Sequence, residues 1–217
     1  MAANELVEIY DALAAAYGPR GWWPGDSPTE VAIGAVLTQN TAWTNVERAI
    51  SALKAADCLD FARIAALEEE ALGAIIRSAG TYRVKARRLK ALAAWVLARG
   101  GTIEAALAGE TGAVRVALLE VAGIGEETAD AILLYAGGHA VFVVDAYTRR
   151  VLRRHGLLAG GESYAAVQAR FERALPRDVR MFNEYHALLV EVGKRHCRAA
   201  ARCAGCPLGH LPHDETA

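Results

Sequence analysis

The stretch Leu119-Glu120-Val121-Ala122-Gly123-Ile124-Gly125-Glu126-Glu127-Thr128-Ala129-Asp130 decides how this chain folds. Apolar residues at helical spacing over 114–121, and again up to residue 135, predict two helices joined by a tight hairpin. Gly123 and Gly125 supply the backbone freedom that such a turn requires. The bare backbone N–H groups of a Gly-x-Gly hairpin that opens a helix can bind an anion, and a DNA phosphate would suit them. An ordinary helix–helix turn is the alternative interpretation.

The second informative segment is Val143-Val144-Asp145-Ala146-Tyr147-Thr148-Arg149-Arg150, which follows the hairpin. Together the two segments resemble the helix-hairpin-helix DNA glycosylases of the endonuclease III family, in which an aspartate follows the hairpin at this distance. The resemblance covers nearly the whole chain, over residues 5–208. It implies a DNA glycosylase of base excision repair that acts on damaged double-stranded DNA, and we expect a monomer.

Nearly every segment of the chain has helical periodicity, and we predict an all-α fold. The resemblance implies two helical lobes: a six-helix bundle over 27–136 with the helix-hairpin-helix motif, and a second lobe over 1–26 and 137–217 that ends in a Cys-rich loop. The one strand-like run, 140–144, is interpreted as an extended lead-in to a helix. Periodicity, capping residues and glycine stops predict helices at 4–17, 27–37, 43–56, 67–78, 82–99, 111–121, 126–135, 145–154, 163–174 and 180–195.

The formal net charge is -1, so the chain lacks an overall basic footprint for nucleic acid. Basic residues are nevertheless clustered, and such clusters are either solvated faces or local phosphate contacts. No apolar stretch is long enough to span a membrane and no signal peptide is visible, so we expect a cytoplasmic protein. The first basic cluster is Arg77, Arg83, Lys85, Arg87, Arg88 and Lys90, and the second is Arg149, Arg150, Arg153 and Arg154.

Asp145 is the first catalytic candidate. It ends an apolar run at the predicted start of a helix, where Asp is a good N-cap and needs no further role. Cleavage of a glycosidic bond builds positive charge on the sugar, and a carboxylate can stabilise that charge or activate water. In the endonuclease III family the matching aspartate has this role, and the resemblance assigns it to Asp145.

Glu127 is the second catalytic candidate, because bifunctional members of the family carry a lysine nucleophile at this position. An acid in the first turn of a helix also suits the helix dipole. A carboxylate cannot form the Schiff base that a lysine amine forms, and Glu126 supplies no amine either. We therefore expect base removal by water without AP-lyase activity. The substitution resembles the monofunctional 3-methyladenine glycosylases of the family.

Aromatic residues flank the predicted helix that begins at Ser27. Tryptophans in a small helical protein commonly fill the core. The alkyladenine branch of the family, however, has a Trp-Trp-Pro segment where this chain has Trp22-Trp23-Pro24, and an aromatic residue at Trp43. The resemblance implies that Trp22, Trp43 and Trp23 bind the flipped base. Alkylated purines carry positive charge, so stacking and cation–π attraction would select them.

The resemblance also implies residues that contact DNA. Gln39 matches the residue that fills the gap left by the flipped base, although a helix-end amide can equally bond locally. The second intercalating position aligns with Thr81, a poor apolar wedge, and Tyr82 is the alternative. The remaining candidates are the hairpin glycines Gly123 and Gly125 and, in a basic loop near the C-terminus, Lys194.

The C-terminal spacing Cys197-x5-Cys203-x2-Cys206 indicates a metal site rather than disulfides in a cytosolic chain. Family members hold a 4Fe–4S cluster with four cysteines, and the resemblance implies one here. Pro212 stands at the expected fourth position and cannot ligate, so His210 or His213 would complete the site. A Cys3His set would also suit zinc, and an empty, degenerate site is the third alternative.

The sequence therefore predicts a monofunctional DNA N-glycosylase, a hydrolase that releases an alkylated purine such as 3-methyladenine. Two rivals stay open. A bifunctional endonuclease III-like glycosylase and AP lyase on oxidised pyrimidines would need the lysine that Glu127 replaces. A catalytically silent protein that binds DNA lesions would have no use for Asp145.

Overall fold

Helices account for all of the regular secondary structure in residues 2–214, the part of the chain that the computed structural model describes. The all-α prediction is confirmed. A 3-10 turn at Arg77–Ala79 and a π-turn at Ile132–Ala136 supplement the α-helices. In chain order the α-helices are α1 (Ala2–Tyr17), α2 (Pro28–Leu37), α3 (Trp43–Ala55), α4 (Phe61–Ala66), α5 (Glu69–Ile75), α6 (Tyr82–Leu97), α7 (Ile103–Ala106), α8 (Thr111–Leu119), α9 (Glu126–Ala131), α10 (Ala146–Arg154), α11 (Tyr164–Ala174) and α12 (Val179–Arg195).

The described residues form two compact units. One is the continuous segment Pro24–His139, and the other joins the chain up to Trp23 to the chain from Ala140 onward. The division predicted from the sequence, with a six-helix bundle at 27–136, stays a prediction. Within the described range, no helix combines the length and the apolar character needed to cross a membrane.

Helix α2 forms the core of the first unit. Every residue of α2 over 30–37 is buried, which explains why the helix is apolar on all sides. Its start is set locally: Pro28 stands at the first helical position, and Ser27 Oγ accepts a hydrogen bond from the Glu30 N–H at 3.2 Å. Helices α3, α6, α7 and α9 pack against it.

The predicted helix–hairpin–helix is confirmed at α8 and α9. Gly123 has φ +86, in the region that favours glycine, and a Cβ there would lie 2.4 Å from Arg88 Cγ. Below the turn, Arg115 Nε and Nη2 donate to the two carboxylate oxygens of the buried Asp130 at 2.6 and 3.0 Å. This bidentate pair ties α8 to α9. The backbone beyond α9 continues as the π-turn.

The second unit packs α1, α10, α11 and α12 around an aromatic core. Phe142 and Phe171 stack with ring centroids 3.8 Å apart, and Phe182 and Tyr185 meet Phe142 edge-on. The Tyr185 hydroxyl donates to the Leu6 carbonyl at 2.7 Å, which fastens α1 to α12. A buried aromatic core of this kind gives the helices that carry the candidate site a rigid base.

Two short helices, α4 and α7, were not predicted from the sequence. They span six and four residues, so neither completes two turns of apolar periodicity. Their starts do carry capping signals, because Asp60 and Thr102 accept hydrogen bonds from the Arg63 and Ala105 N–H groups. The predicted helix at 67–78 is, in the structure, α5 followed by the 3-10 turn.

Candidate active site

Asp145 caps α10 and has the environment of a functional carboxylate. Its Oδ1 accepts a hydrogen bond from the Thr148 N–H at 2.7 Å, and its side chain is only 12% exposed. His186 Nε2 lies 3.7 Å from Asp145 Oδ2. Burial acts to raise the pKa of Asp145, but the neighbouring His186 and the bonds from Thr148 outweigh it, and the pKa lies below its ordinary value. Asp145 is therefore ionised at neutral pH.

The segment before Asp145 holds it in place without forming a strand. Residues 141–144 are buried, and their backbone groups bond to side chains of α11. Glu172 Oε1 accepts from the Phe142 N–H at 3.1 Å, Gln168 Nε2 donates to the Phe142 carbonyl at 2.8 Å, and the Tyr164 hydroxyl accepts from the Val144 N–H at 3.2 Å. The predicted extended lead-in is confirmed, with side chains in place of a partner strand.

His186 is a candidate functional residue that the sequence analysis missed. It lies on the buried side of α12 and is 5% exposed. Helix α12 approaches α10 closely because Gly193 leaves room for the Tyr147 ring, whose Cδ1 would lie 2.4 Å from a Cβ on that glycine. A histidine among buried apolar residues has no sequence pattern that separates a structural role from a functional one. Only this packing brings His186 to Asp145.

Glu127 and the hairpin glycines lie at the start of α9. Glu127 is exposed in the first turn of α9, and Gly125 is its N-cap residue. Gly123 accepts a hydrogen bond on its carbonyl from Gln39 Nε2 at 3.1 Å, and the same amide nitrogen donates to Thr128 Oγ1 at 2.9 Å. In this structure Gln39 therefore rests on the hairpin rather than pointing away from it. Its Oε1 accepts from Arg88 Nη1.

Thr81 and Tyr82 differ in their freedom to reach a ligand. Thr81 is exposed, with φ 39 in the left-handed region, at the N-cap of α6. The Tyr82 ring packs on α5, where a Cβ on Gly73 would lie 3.3 Å from Tyr82 Cδ2. Arg77 and Arg83 place their guanidinium groups 5.9 and 5.8 Å from the Tyr82 ring centroid. Of the two candidates for intercalation, Thr81 is the more exposed.

The candidate base-binding tryptophans lie in different units. Trp22 and Trp23 meet edge to face at 5.6 Å in one unit, and Lys194 Nζ lies 5.3 Å from the Trp22 ring centroid. Trp43 begins α3 in the other unit, where its Nε1 donates to Glu47 Oε1 at 2.9 Å. All three indoles are partly exposed. The predicted DNA contact at Lys194 thus lies beside one of the predicted base-binding rings.

Two members of the basic clusters are not available to bind a phosphate. Lys85 is 1% exposed and Arg154 is 5% exposed, so neither side chain is available to a phosphate. Arg154 instead donates to the Arg198 and Ala199 carbonyls at 2.6 and 3.0 Å. Arg150 Nε donates to the Cys197 carbonyl at 2.5 Å. The charge of these residues suggested that their side chains are exposed. In the structure each donates hydrogen bonds to backbone carbonyls instead.

Three cysteines and three histidines line a single cavity at the C-terminal loop. The cysteines are Cys197, Cys203 and Cys206, and the histidines are His155, His196 and His213, whereas His210 does not line the cavity. Its empty volume is about 350 Å³, open solvent included. Within residues 2–214, no three His, Cys, Asp or Glu side chains converge on a point that would hold one metal ion.

An iron–sulfur cluster makes a different demand, because each thiolate binds its own iron and the sulfurs need not converge. The cavity also offers hydrogen-bond donors to sulfur. Arg154 Nη1 lies 3.3 Å from Cys197 Sγ. Burial raises the pKa of the Cys206 thiol, while the backbone N–H groups of Leu208 and Gly209 act in the opposite direction and favour its thiolate. The three thiols and the donors beside them are therefore compatible with a cluster.

Comparison with known proteins gives consistent matches. The HhH-GPD superfamily of base excision DNA repair proteins matches residues 33–177. A candidate DNA repair glycosylase of Methanocaldococcus jannaschii is 43% identical over 205 residues, which cover 94% of this chain and 93% of that protein. Endonuclease III of Bacillus subtilis is 31% identical over 134 residues, which cover 61% of this chain and 57% of that protein.

Two solved structures are similar over most of the chain. H. pylori 3-methyladenine DNA glycosylase MagIII, bound to 1,N6-ethenoadenine, is 30% identical with a TM-score of 0.76, and the match covers 89% of this chain and 97% of that chain. A non-covalent endonuclease III–DNA complex is 24% identical with a TM-score of 0.83, and covers 97% of this chain and 94% of that chain. The second likeness establishes the fold.

Proposed function

This chain belongs to the HhH-GPD superfamily of base excision DNA repair proteins, and from that premise we propose that it is a monofunctional DNA glycosylase for alkylated purines. The observation that carries the proposal is Asp145, a carboxylate only 12% exposed whose pKa is held below its ordinary value beside His186. An ionised group in a desolvated setting is suited to stabilise the positive charge that develops on the sugar. The substrate would be damaged double-stranded DNA, bound by one copy of the chain.

The hydrolytic part of the proposal rests on Glu127. Glu127 occupies the first turn of α9, where the resemblance places a lysine nucleophile in bifunctional enzymes. A carboxylate offers no amine for a Schiff base, so the strand cleavage that follows such an adduct has no starting point. Water, activated or oriented by Asp145, would then attack the sugar as the base leaves.

The substrate part rests on the tryptophans and on the likeness to a 3-methyladenine glycosylase. Trp22 and Trp43 are partly exposed, so each can offer an indole face to a flipped base. A purine alkylated at N3 or N7 is cationic, which adds cation–π attraction to stacking and makes the base a good leaving group. Such a base needs no strong acid to protonate it, and none of the residues assigned here supplies one.

We also propose that Cys197, Cys203 and Cys206 hold a 4Fe–4S cluster, with His213 as the fourth ligand in place of His210. Of the two histidines that the sequence suggested, His213 lines the cavity with the three thiols and His210 does not; His155 and His196 also line it. When bound, the cluster would hold the loop at 197–213 in shape, and Asp145 would keep its role without it. Iron and sulfide analysis of purified protein should find both elements. One zinc and no iron would replace the cluster by a Cys3His site, and neither metal would leave an empty loop.

The function is tested by incubating the protein with duplexes that each carry one damaged base. We expect release of free 3-methyladenine or 1,N6-ethenoadenine, with strand breaks appearing only after alkali. Borohydride present during the reaction should trap no protein–DNA adduct. Strand breaks as fast as base release, or efficient trapping, would identify a bifunctional lyase. Binding to damaged duplexes without release of any base would identify a lesion-binding protein.

A further inference from the structure

Helix α6 carries two lysines that bond to backbone carbonyls at the ends of other helical segments. Lys85 Nζ donates to the Leu37 carbonyl at 2.9 Å and to the Ala79 carbonyl at 2.6 Å. Lys90 Nζ donates to the Ala65 carbonyl at 2.9 Å and to that of Leu67. The two lysines therefore make the same kind of contact from one helix. They differ in the chain segments that follow the residues whose carbonyls they bind.

Lys85 is the more deeply buried of the two. Its side chain is 1% exposed, and burial lowers the pKa of its ammonium, with Arg88 acting in the same direction. Its two partners are the last residue of α2 and the last residue of the 3-10 turn. Carbonyls at helical C-terminal ends lack intrahelical partners and carry the negative end of the dipole. One ammonium thus satisfies two helix ends at once.

Beyond each of these two ends the chain makes an exposed, conformationally demanding turn. After Leu37 comes the turn with Gln39 and Asn40, and Asn40 has φ 53. After Ala79 comes the turn with Gly80 and Thr81, and Thr81 has φ 39 although it is β-branched. Asparagine tolerates left-handed backbone, whereas a β-branched residue such as Thr81 adopts it only where the surroundings impose it.

The two turns are also neighbours. A Cβ on Gly80 would lie 3.9 Å from Thr41 Oγ1, and Ser78 Oγ donates to the Asn45 carbonyl at 3.1 Å. Lys85 is therefore a buried link between the adjacent turns that carry Gln39 and Thr81, the residues that the resemblance places at the gap left by the flipped base. Lys90 holds the end of α4 and the residue after it, which carry no assigned DNA contact.

We propose that Lys85 is a positioning residue that sets the spacing between the Gln39 turn and the Thr81 turn, and so serves the flipping of the base rather than the breaking of its glycosidic bond. The inference rests on the proposed function. Filling the gap and wedging the stack require two groups at one spacing, so loosening that spacing should weaken extrusion of a paired base. A base that is already unpaired needs little help to leave the stack.

The test compares Lys85→Met with the matched control Lys90→Met on two substrates: a lesion in a fully paired duplex, and the same lesion in single-stranded DNA. Single-turnover base release by Lys85→Met should fall by about tenfold to a hundredfold on the duplex relative to the single strand. Lys90→Met should leave that ratio at its wild-type value. If Lys85→Met fails to fold, Lys85→Gln replaces it, because its shorter amide cannot reach both carbonyls.

Two results would overturn the inference. One is an equal loss on both substrates, which is the signature of general destabilisation. The other is the same change of ratio in Lys90→Met. A second readout needs no catalysis: a fluorescent base analogue beside an uncleavable abasic analogue reports duplex distortion on binding. Lys85→Met should lose this signal and Lys90→Met should keep it, even if the wild type releases no base and the proposed function fails.

Discussion

Two acidic side chains stand at the starts of helices in this protein, Asp145 at α10 and Glu127 at α9, and their surroundings differ. Asp145 is 12% exposed, accepts a hydrogen bond from the Thr148 N–H and lies 3.7 Å from His186. Glu127 is exposed in the first turn of α9. Helix stability alone explains an acid at either position, because both suit the helix dipole. Of the two, only Asp145 is also largely removed from water and beside a histidine.

Because their surroundings differ, the two acids should affect different properties: one the rate of base release, the other whether strand cleavage can follow. A buried, ionised carboxylate stabilises a developing positive charge strongly, because little water screens the interaction. An exposed carboxylate is screened and contributes little to such stabilisation. We therefore assign the rate of base release to Asp145, and to Glu127 only the absence of an amine that would turn the reaction toward strand cleavage.

The largest effect is expected from Asp145→Asn. The substitution removes the charge, changes little volume and keeps a good N-cap for α10. Single-turnover base release should fall by about a hundredfold to a thousandfold, while the Kd for damaged duplex stays near the wild-type value. If a folded Asp145→Asn protein released the base at a near wild-type rate, Asp145 would be no more important for the rate than Glu127.

The next prediction concerns which residues select the substrate, and it tests whether residues other than the two acids do so. Trp22→Ala and Trp43→Ala should each slow release of a cationic methylated base more than release of a neutral ethenoadenine, because only the former gains cation–π attraction. Loss of stacking alone should cost about 1–3 kcal/mol. Trp95→Phe is the control, since this buried indole already has the Arg99 guanidinium 4.5 Å from its ring centroid. Equal losses on both bases would mean that the tryptophans only pack.

A smaller effect, on pH dependence, should follow from His186→Gln. The pKa of Asp145 lies below its ordinary 3.8, so its ionised form stabilises the fold above the unfolded-state value and loses this effect as the pH falls through the folded-state value. The fall in wild-type base release that accompanies protonation of Asp145 should therefore lie below the ordinary value. Without His186, less opposes the effect of burial on the pKa of Asp145, so the fall in base release at low pH should move to higher pH. If the fall in base release at low pH stays at the same pH in His186→Gln, then His186 only fills space.

The smallest effect is expected from Glu127→Gln, which should change base release by less than about threefold because the side chain is exposed. Glu127→Lys is the companion variant, since it restores an amine at this position. It should leave release similar but produce a borohydride-trapped adduct. A large loss of release in Glu127→Gln would show that both acids act on the rate.

Local patterns explain what could be predicted before the structure. The helix–hairpin–helix, the cap at Ser27 and the extended segment before Asp145 each depend on residues within a few positions of one another. The structure found α4 and α7 in addition, because six and four residues are too few for periodicity to show. Asp145 was assigned through a resemblance, and its burial had no separate signal in the sequence.

Charge was the least predictable property. The sequence places Lys85 and Arg154 in clusters of basic residues, which suggests a surface position. Both side chains are in fact buried and donate hydrogen bonds to backbone carbonyls. The Leu37 carbonyl that Lys85 holds lies 48 residues away in the chain. No local sequence pattern connects such distant positions. In an amphipathic helix with many basic residues, a buried lysine and an exposed one have similar neighbours in the sequence. Their burial follows from how helices pack, not from their own sequence neighbours.

The sequence by itself determined the all-α architecture, the hairpin and the presence of three thiols at metal-binding spacing, because helix formation and ligand spacing are short-range properties. Only the tertiary structure decided which acid is desolvated, that His186 meets Asp145, that Lys85 joins two turns and that His213 rather than His210 lines the cysteine cavity. Desolvation and charge pairing depend on groups brought together from distant parts of the chain, so they become defined only when the helices pack.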